Sequence, residues 1–410
     1  MLKESTAPGF SLIEKLLPSQ IIEKFILKLP FNKIEKGIIN LNLFGQTHRF
    51  EGKQEGHHAE LNIVNPARAF WLIKTQGELG FAQAYYEGAI DTNSLYELLY
   101  VGYDNEHVFA NLLTNKPLTL FKFLNHKKNH NSLENSRKNI SYHYDLGNDF
   151  YSLWLDKTMS YSSALFNDDT HTMEQAQHNK YNHVLNNLNV KEGDNILEIG
   201  CGWGGLMEMA LVKQAKVTGL TLSEEQKKFA DHRLASQFET SDFEVKLQDY
   251  RLEEQQFDHI ISIEMFEAVG KEYWDQYFET LNRCLKPGGN VGLQVITIAD
   301  EYAESYQNSV DFIQAYIFPG GLLPSVKQLN QFANKHGFEI TKNEDFGMDY
   351  GVTCQLWKQS FNKHAEVLQE KGYDKPFQRL WNYYLDYCTV GFETQHISVN
   401  QLFLQRIEEV

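Results

Sequence analysis

Apolar and polar positions alternate regularly along the second half of this 410-residue chain. Short apolar runs, typical of buried parallel strands, are separated by longer stretches with helical spacing. The predicted strands are NILEIG (195–200), KVTGLTL (216–222), FEVKLQD (243–249), FDHIISIE (257–264) and NVGLQVITI (290–298), the last preceded by a predicted turn at KPGG (286–289). The predicted helices cover 175–190, 205–213, 223–236 and much of 265–285. This order predicts an α/β fold with a doubly wound, mostly parallel sheet.

The first 120 residues follow a different pattern. Apolar positions in 11–29 have broadly helical spacing, and Pro18 divides them into two short amphipathic pieces. Residues 38–64 indicate strands with turns, and 67–100 indicate helices. We therefore predict a smaller mixed α+β domain at 1–120, a polar basic linker at 121–140 and the α/β domain at 141–410. A plain scaffold and a module that grips a substrate both fit the first domain.

Composition narrows the class of protein. Apolar residues make up 42% of the chain and charged residues 22%, as in ordinary globular proteins. The net charge of −16 argues against a nucleic-acid binder. The four cysteines form no C-x-x-C pair and no zinc spacing, and the histidines form no metal triad, so a reduced cytoplasmic compartment without a metal site is expected. There is no apolar run long enough to span a bilayer, and no signal-peptide core.

The basic stretch 121–139 carries five Lys or Arg residues against Glu134 alone. It fits a solvated linker. It also fits a segment that touches an anionic membrane surface, where each cation contributes about 1 kcal/mol.

A glycine loop, EIGCGWGG (198–205), lies between a predicted strand and a predicted helix. Such a loop lets the backbone approach NAD, FAD or S-adenosylmethionine. NAD sites also need a carboxylate at the end of the second strand, where this chain has Thr221. Glu198 stands in an E-x-G-x-G-x-G pattern, placed to orient the amino-acid end of a zwitterionic ligand. The loop therefore favours S-adenosylmethionine, with another Rossmann-type cofactor as the alternative.

Eight ordered motifs then resemble one family. They are HYDLGNDFY, YSSALF, EIGCGWGG, TLSEEQ, LQDYR, MFEAVG, YIFPGGLLPS and FGMDY. Across 141–410 they are similar to the cyclopropane-fatty-acyl-phospholipid synthase family. The resemblance implies a class I methyltransferase fold and transfer of the S-adenosylmethionine methyl carbon to a cis double bond in a lipid acyl chain. The resulting carbocation is stabilised by aromatic faces in a dry pocket and is deprotonated by bound bicarbonate to form a cyclopropane.

The resemblance also implies the residues of the site. Those near S-adenosylmethionine are Tyr161, Ser162, Gly200, Gly202, Gly204, Thr221, Leu222, Gln226, Gln248 and Asp249. Those on the catalytic side are Glu267, Tyr350, Gln294, Ser163 and Cys388, and of these the resemblance implies Glu267 and Tyr350 for the bicarbonate site. Ser163 stands where some members have a cysteine that acts through its backbone N–H, and Cys388 is expected to be structural because no step needs a thiolate.

Other readings of single residues stay open at this point. Glu267 also fits a paired carboxylate on a helix face, and Tyr350 a packed core tyrosine. Glu264 ends a parallel strand and either faces the cleft or is solvated. His143 and Tyr144 either line the entrance or cap a helix.

Two positions depart from the family pattern. Well-studied members have a histidine where this chain has Ala268, and another where it has Gln294. Glutamine cannot carry charge or relay a proton, so bicarbonate is held less tightly or deprotonation differs. Proton loss by another route gives a methyl- or methylene-branched chain, which is the alternative product.

The expected substrate is an unsaturated phospholipid or acyl lipid. The expected location is the inner face of the membrane, with peripheral attachment from the cytoplasm and, by analogy, a homodimer. A small-molecule methyltransferase is less consistent with the aromatic-rich segment 142–161. A lipid-binding protein with a degenerate cofactor loop is the alternative without catalysis.

Overall fold

A computed structural model describes residues 19–113 and 146–407, which form two compact units. The first unit contains 19–113 together with Val310–Ile317 and His364–Val390. The second unit contains 146–309, Phe318–Lys363 and 391–407. The units are therefore not consecutive stretches of chain, because two late segments belong with the N-terminal part. The predicted linker at 121–140 and the first half of the predicted 11–29 helices lie outside the described residues.

Eleven strands occur in the described residues. They are β1 (Lys36–Leu43), β2 (Gln46–Glu51), β3 (Gln54–Ile63), β4 (Ile90–Asp91), β5 (Asn195–Ile199), β6 (Lys216–Thr221), β7 (Phe243–Leu247), β8 (Phe257–Ile263), β9 (Leu285–Ile298), β10 (Phe338–Asp345) and β11 (Ile397–Arg406).

The helices are given in chain order within the same residues. They are α1 (Ser19–Ile26), α2 (Pro66–Gln76), α3 (Glu78–Tyr86), α4 (Leu95–Asp104), α5 (Glu106–Leu113), α6 (Asn148–Tyr151), α7 (Met173–Asn187), α8 (Gly205–Val212), α9 (Glu224–Ala235), α10 (Trp274–Cys284), α11 (Ala303–Tyr306), α12 (Phe312–Tyr316), α13 (Val326–Lys335), α14 (Gly347–Lys363), α15 (Ala365–Glu370) and α16 (Lys375–Glu393). Short 3₁₀ turns occur at Pro30–Lys33, Tyr250–Leu252, Phe266–Ala268 and Lys271–Tyr273.

The first unit contains a four-stranded mixed sheet in the order β2-β1-β3-β4. The β1–β3 pair is parallel, whereas the β1–β2 and β3–β4 pairs are antiparallel. The helices beside it begin at local signals in the sequence. Asn65 accepts from the Arg68 N–H ahead of Pro66, and Ser94 accepts from the Glu97 N–H. The predicted mixed α+β fold of this part is confirmed.

The second unit contains a seven-stranded sheet in the order β10-β11-β9-β8-β5-β6-β7. Strands β5 to β9 pair in parallel, and β10 and β11 add an antiparallel edge. The predicted doubly wound, mostly parallel sheet is confirmed. The KPGG segment differs from the prediction, because it lies inside β9 instead of forming a separate turn. Phe257 of β8 pairs with Leu285 of β9, and the next pair is His259 with Asn290. The residues of β9 between these two pairs therefore form a bulge in an otherwise continuous ladder.

Apolar side chains cover both faces of this sheet. Trp274, Phe278 and Leu281 of α10 pack against one face in a buried cluster with strand residues. Val184 of α7 and Met207 of α8 belong to the cluster on the other face. The carboxyl ends of β5, β6 and β8 lie at one edge, where open α/β sheets bind ligands. No helix among the described residues has the length and apolar character needed to cross a bilayer.

Candidate active site

The glycine loop begins where β5 ends and leads into α8. The N–H groups of Gly200 and Cys201 both donate to the Leu220 carbonyl at the end of β6, at 3.0 and 2.9 Å. Gly200 has φ +86°, and a Cβ there would lie 2.9 Å from the Met265 side chain. Gly202 has φ +52° with nothing within 4 Å of a Cβ position. The loop therefore holds its backbone open to a ligand beside Gly202.

Glu198 is the buried carboxyl group next to this loop. Its side chain lies on β5 and is 3% exposed, and its Oε2 has no hydrogen-bond partner among the described residues. Burial raises the pKa of Glu198 to about 8, although the Lys180 charge and the Met207 backbone N–H oppose the shift. An unpaired buried carboxyl oxygen beside an open glycine loop fits the ammonium of an amino-acid ligand, so these residues fit S-adenosylmethionine.

The ends of β6 and β7 supply the next predicted cofactor residues. The Thr221 hydroxyl donates to Gln226 Oε1 at 2.8 Å, and both side chains are 5% exposed. The Gln248 N–H donates to the Thr221 carbonyl at 3.1 Å, so the two strand ends are joined. Leu222 follows Thr221 and is partly buried.

Asp249 is already paired. Arg251 donates to both of its carboxylate oxygens, at 2.8 and 2.7 Å. The Asp249 carboxylate is therefore held in a bidentate ion pair next to Gln248.

Aromatic side chains form a continuous path away from the glycine loop. Trp203 donates from its indole to Asn148 Oδ1 at 2.7 Å, which ties the loop to the start of α6. Its ring lies 5.2 Å from that of Tyr151. Tyr151 lies 5.4 Å from Tyr161, and Tyr161 lies 5.4 Å from Trp357 of α14. The aromatic-rich segment predicted at 142–161 therefore packs beside the cofactor loop over its described part. His143 and Tyr144 lie outside the described residues.

Lys180 of α7 is a site residue that sequence reasoning missed. Its ammonium donates to the Ser162 hydroxyl at 2.6 Å, and the side chain is fully buried. Gln177, one turn earlier, donates to the Ser162 carbonyl at 2.9 Å. Burial lowers the pKa of Lys180 to about 7, against the negative charges of Glu264, Asp156 and Glu198. A lysine in a helix ordinarily indicates a solvated face, so the sequence pattern did not indicate that Lys180 is buried in the site.

Glu264 follows the last residue of β8, and three donors converge on its carboxylate. The Ser163 N–H and the Gln294 amide donate to Oε1 at 2.9 and 2.7 Å. The Tyr350 hydroxyl donates to Oε2 at 2.6 Å. Burial raises the pKa of Glu264, whereas these three donors and the Lys180 charge lower it. Of the two readings left open for Glu264, the structure supports the one that faces the site.

The donors themselves are held by neighbours. The Tyr350 ring stacks on Phe392 at 4.3 Å. Gln294 accepts at Oε1 from Gln401 at 2.9 Å, and Gln401 Oε1 lies 2.6 Å from His183 Nδ1. This chain of contacts fixes which end of the Gln294 amide faces Glu264.

Glu267 lies in the turn just beyond Glu264. Its Oε1 accepts from the Ile296 N–H, and its Oε2 is buried without a partner among the described residues. Burial and the neighbouring charge of Glu264 raise the pKa of Glu267 to about 8. Like charges so close together do not both ionise easily, so one of the two carboxyl groups tends to keep its proton. Ala268, where family members have a histidine, is exposed.

The hydrogen-bond donors expected around bicarbonate do not fit that ion as they are arranged here. The donors from Ser163, Gln294 and Tyr350 are all engaged by Glu264. A bicarbonate ion would compete for them and add a negative charge beside two carboxyl groups. Cys388 lies in α16 within the first unit and is partly buried, and its structural role stays a prediction. The described residues contain no group that could hold a metal ion.

Comparisons with known proteins find similar sequences and structures. The family described as mycolic acid cyclopropane synthetase matches residues 131–402. A tuberculostearic acid methyltransferase, UfaA1 from Mycobacterium tuberculosis, is 35% identical over 87% of this chain and 85% of its own length. The cyclopropane-fatty-acyl-phospholipid synthase of Escherichia coli is also 35% identical, over 85% of this chain and 88% of its own. The crystal structure of mycolic acid cyclopropane synthase CmaA1 complexed with SAH and CTAB aligns with TM-score 0.60 and 30% identity, covering 66% of this chain and 98% of that one.

Proposed function

This chain belongs to the mycolic acid cyclopropane synthetase family of S-adenosylmethionine-dependent methyltransferases, and from that premise we propose that it methylates lipid acyl chains. The methyl carbon of S-adenosylmethionine goes to the cis double bond of an unsaturated phospholipid acyl chain. The product is a cyclopropane fatty acid, formed through a carbocation.

The observation that carries this proposal is the aromatic path. It runs from Trp203 in the glycine loop through Tyr151, Tyr161 and Trp357 to Tyr350, whose ring lies 6.1 Å from that of Trp357. An alkene is a weak nucleophile, and its methylation leaves a cation with no counter-charge of its own. Aromatic faces attract such a cation and exclude the water that would capture it. Methylation of an amine or a hydroxyl group forms no carbocation that must be kept from water.

Each group of residues has a part in this reaction. Bound S-adenosylmethionine supplies the electrophilic methyl group. Glu198 and the open loop at Gly202 bind its amino-acid end. The rest of the cofactor is bound by Thr221, Gln226 and Gln248. The enzyme holds the methyl donor and the double bond in line within one complex. The reaction is then faster than a chance encounter of the two molecules in solution.

The relatives support the substrate class. One relative with 35% identity is named for phospholipid-bound cyclopropane synthesis. The relative CmaA1 was crystallised with SAH, the demethylated form of S-adenosylmethionine, and with CTAB, a detergent with one long alkyl chain. The homodimer and the peripheral location at the inner face of the membrane stay predictions.

A methyl- or methylene-branched product is the second candidate. It is favoured by the equal identity, 35%, to a tuberculostearic acid methyltransferase. Both products arise from the same carbocation, and the route by which this cation loses a proton decides which product forms.

The test uses vesicles of a phospholipid with one cis double bond per acyl chain and S-adenosylmethionine carrying a ¹³C methyl group. We expect mass spectrometry to find the label in the acyl chain, with the mass of one CH₂ group added. Vesicles of the saturated lipid are the matched control and should gain nothing. Label in the head group, or in neither lipid, would contradict the proposal.

A further inference from the structure

We propose that the Glu264 carboxylate is the general base of this enzyme and occupies the place that the family resemblance gives to bicarbonate. The inference rests on the proposed function, because it assigns the acceptor of the proton that the cation must lose.

The origin of the donors to Glu264 supports this assignment. They come from three separate parts of the chain: Ser163 before α7, Gln294 in β9 and Tyr350 in α14. The resemblance implies Tyr350, together with Glu267, for the bicarbonate site, and Ser163 and Gln294 stand at family positions beside it. Bicarbonate and a glutamate side chain both present a planar, singly charged CO₂ group. One set of donors therefore serves either group, but not both at the same time.

Two departures from the family pattern accompany Glu264 in this chain. Ala268 and Gln294 stand where well-studied members have histidines. A positively charged or titrating side chain helps to capture an anion from solution. A carboxylate attached to the chain needs no capture, and the neutral amide of Gln294 suffices to orient it.

The backbone conformation of Glu264 also supports a functional role. Glu264 has φ +48°, in the left-handed region that favours glycine. A glutamate held there is strained, and such strain persists where the surroundings determine the conformation and is concentrated at functional sites. The Glu264 N–H donates to the Gln294 carbonyl at 2.7 Å, so the strained residue is fixed on both its main chain and its side chain.

Loss of a proton to Glu264 closes the cyclopropane ring. In the cation, the transferred carbon carries the C–H bond that breaks. Its electron pair forms the second carbon–carbon bond of the ring, and the proton moves to the Glu264 carboxylate. The carboxylic acid releases this proton after the product has left. No co-reactant is needed.

Two variants separate this base from a bicarbonate ion. Glu264→Gly suits the backbone angle and opens the space of one carboxylate, whereas Glu264→Gln fills that space without a base. In buffers freed of carbon dioxide we expect full activity of the unsubstituted enzyme, and a loss of roughly 100-fold or more in both variants. Added bicarbonate should restore Glu264→Gly but not Glu264→Gln.

Titration calorimetry with bicarbonate gives a readout that does not depend on turnover. We expect heat of binding with Glu264→Gly and none with the unsubstituted enzyme or with Glu264→Gln. The proposal is overturned if the unsubstituted enzyme needs bicarbonate, if Glu264→Gln stays active, or if bicarbonate neither binds to nor restores Glu264→Gly. Should no lipid be methylated at all, the proposed function fails, and the calorimetric comparison still decides whether Glu264 fills the anion site.

Discussion

At the scale of single residues, the site depends on how neighbours set the charge of three buried carboxyl groups. Glu264 accepts from three donors, Glu267 accepts from the Ile296 N–H, and Glu198 has one oxygen without a partner among the described residues. Burial raises the pKa of all three groups, and their different hydrogen-bond partners separate their roles. The three donors to Glu264 oppose the effect of burial and favour its charged form, whereas the open oxygen of Glu198 is arranged to receive a cation.

Tyr350→Phe tests the arrangement at Glu264. The ring and its stacking on Phe392 remain, but the donor to Glu264 Oε2 is lost. Because that hydrogen bond lowers the pKa of Glu264 against the effect of burial, its removal raises the pKa further. We expect kcat to fall and the acidic limb of its pH profile to move to higher pH. An unchanged profile would show that the hydroxyl does not act through the carboxylate.

Glu198 gives a prediction about cofactor binding. Burial raises the pKa of Glu198 to about 8, so most molecules are protonated there at pH 7. An ammonium group next to it favours the carboxylate, so binding of S-adenosylmethionine should release protons at pH 7 and fewer at pH 9. Calorimetry in two buffers with different ionisation enthalpies measures this release. Glu198→Gln should bind more weakly and release none, whereas equal heats in both buffers for the unsubstituted protein would contradict the assignment.

At the scale of elements, much of the second unit could be predicted because its signals are local. Strands β5, β6 and β8 each contain a short apolar run, and α7 and α9 begin at the capping residues Thr172 and Ser223. The bulge at KPGG could not be predicted from sequence, because Pro-Gly-Gly indicates a turn. Only the pairing with β8 places this segment in a strand.

The composition of the site was harder to predict than its location. The glycine loop and the end of β8 could be placed from sequence alone. The contacts of Glu264 come from residues 163, 294 and 350, which only the tertiary fold brings together. A positive φ at a glutamate and a fully buried Lys180 run against the ordinary preferences of both residue types.

The glycine loop offers a matched pair of substitutions. Gly202 and Gly193 both have positive φ, +52° and +83°, and open space where a Cβ would stand. Each change to alanine should therefore cost about 1 kcal/mol of folding free energy from backbone strain. Only Gly202→Ala adds a methyl group beside the predicted cofactor, so we expect weaker S-adenosylmethionine binding for that variant alone. Equal affinities in a binding titration would mean that the loop does not contact the cofactor.

At the scale of the whole molecule, the buried carboxyl groups link stability to pH. The folded-state pKa values of Glu198 and Glu267 are raised to about 8 by burial, above the ordinary value of 4.5. Between pH 4.5 and about pH 8 the folded state therefore binds more protons than the unfolded state. The free energy of unfolding falls as the pH rises through this range. Lys180, whose pKa is lowered to about 7 by burial, has the opposite effect above pH 7.

Thermal denaturation without cofactor measures this dependence. We expect the Tm to fall between pH 5 and pH 7, and to fall less in Glu267→Gln, which removes one of the two groups. A Tm that rises over this range, or a Glu267→Gln variant that follows the unsubstituted protein, would contradict the linkage.

The most direct test of the proposed reaction is the chemical structure of the methylated lipid. S-adenosylmethionine with a ¹³C methyl group and vesicles of a cis-monoenoic phospholipid are incubated with the full chain, and the released fatty acids are examined by NMR. We predict that the label appears as the methylene carbon of a cyclopropane, with its protons at high field. Label in an olefinic methylene carbon or in a methyl branch would contradict the cyclopropane product, and no label in the acyl chain would contradict the function itself.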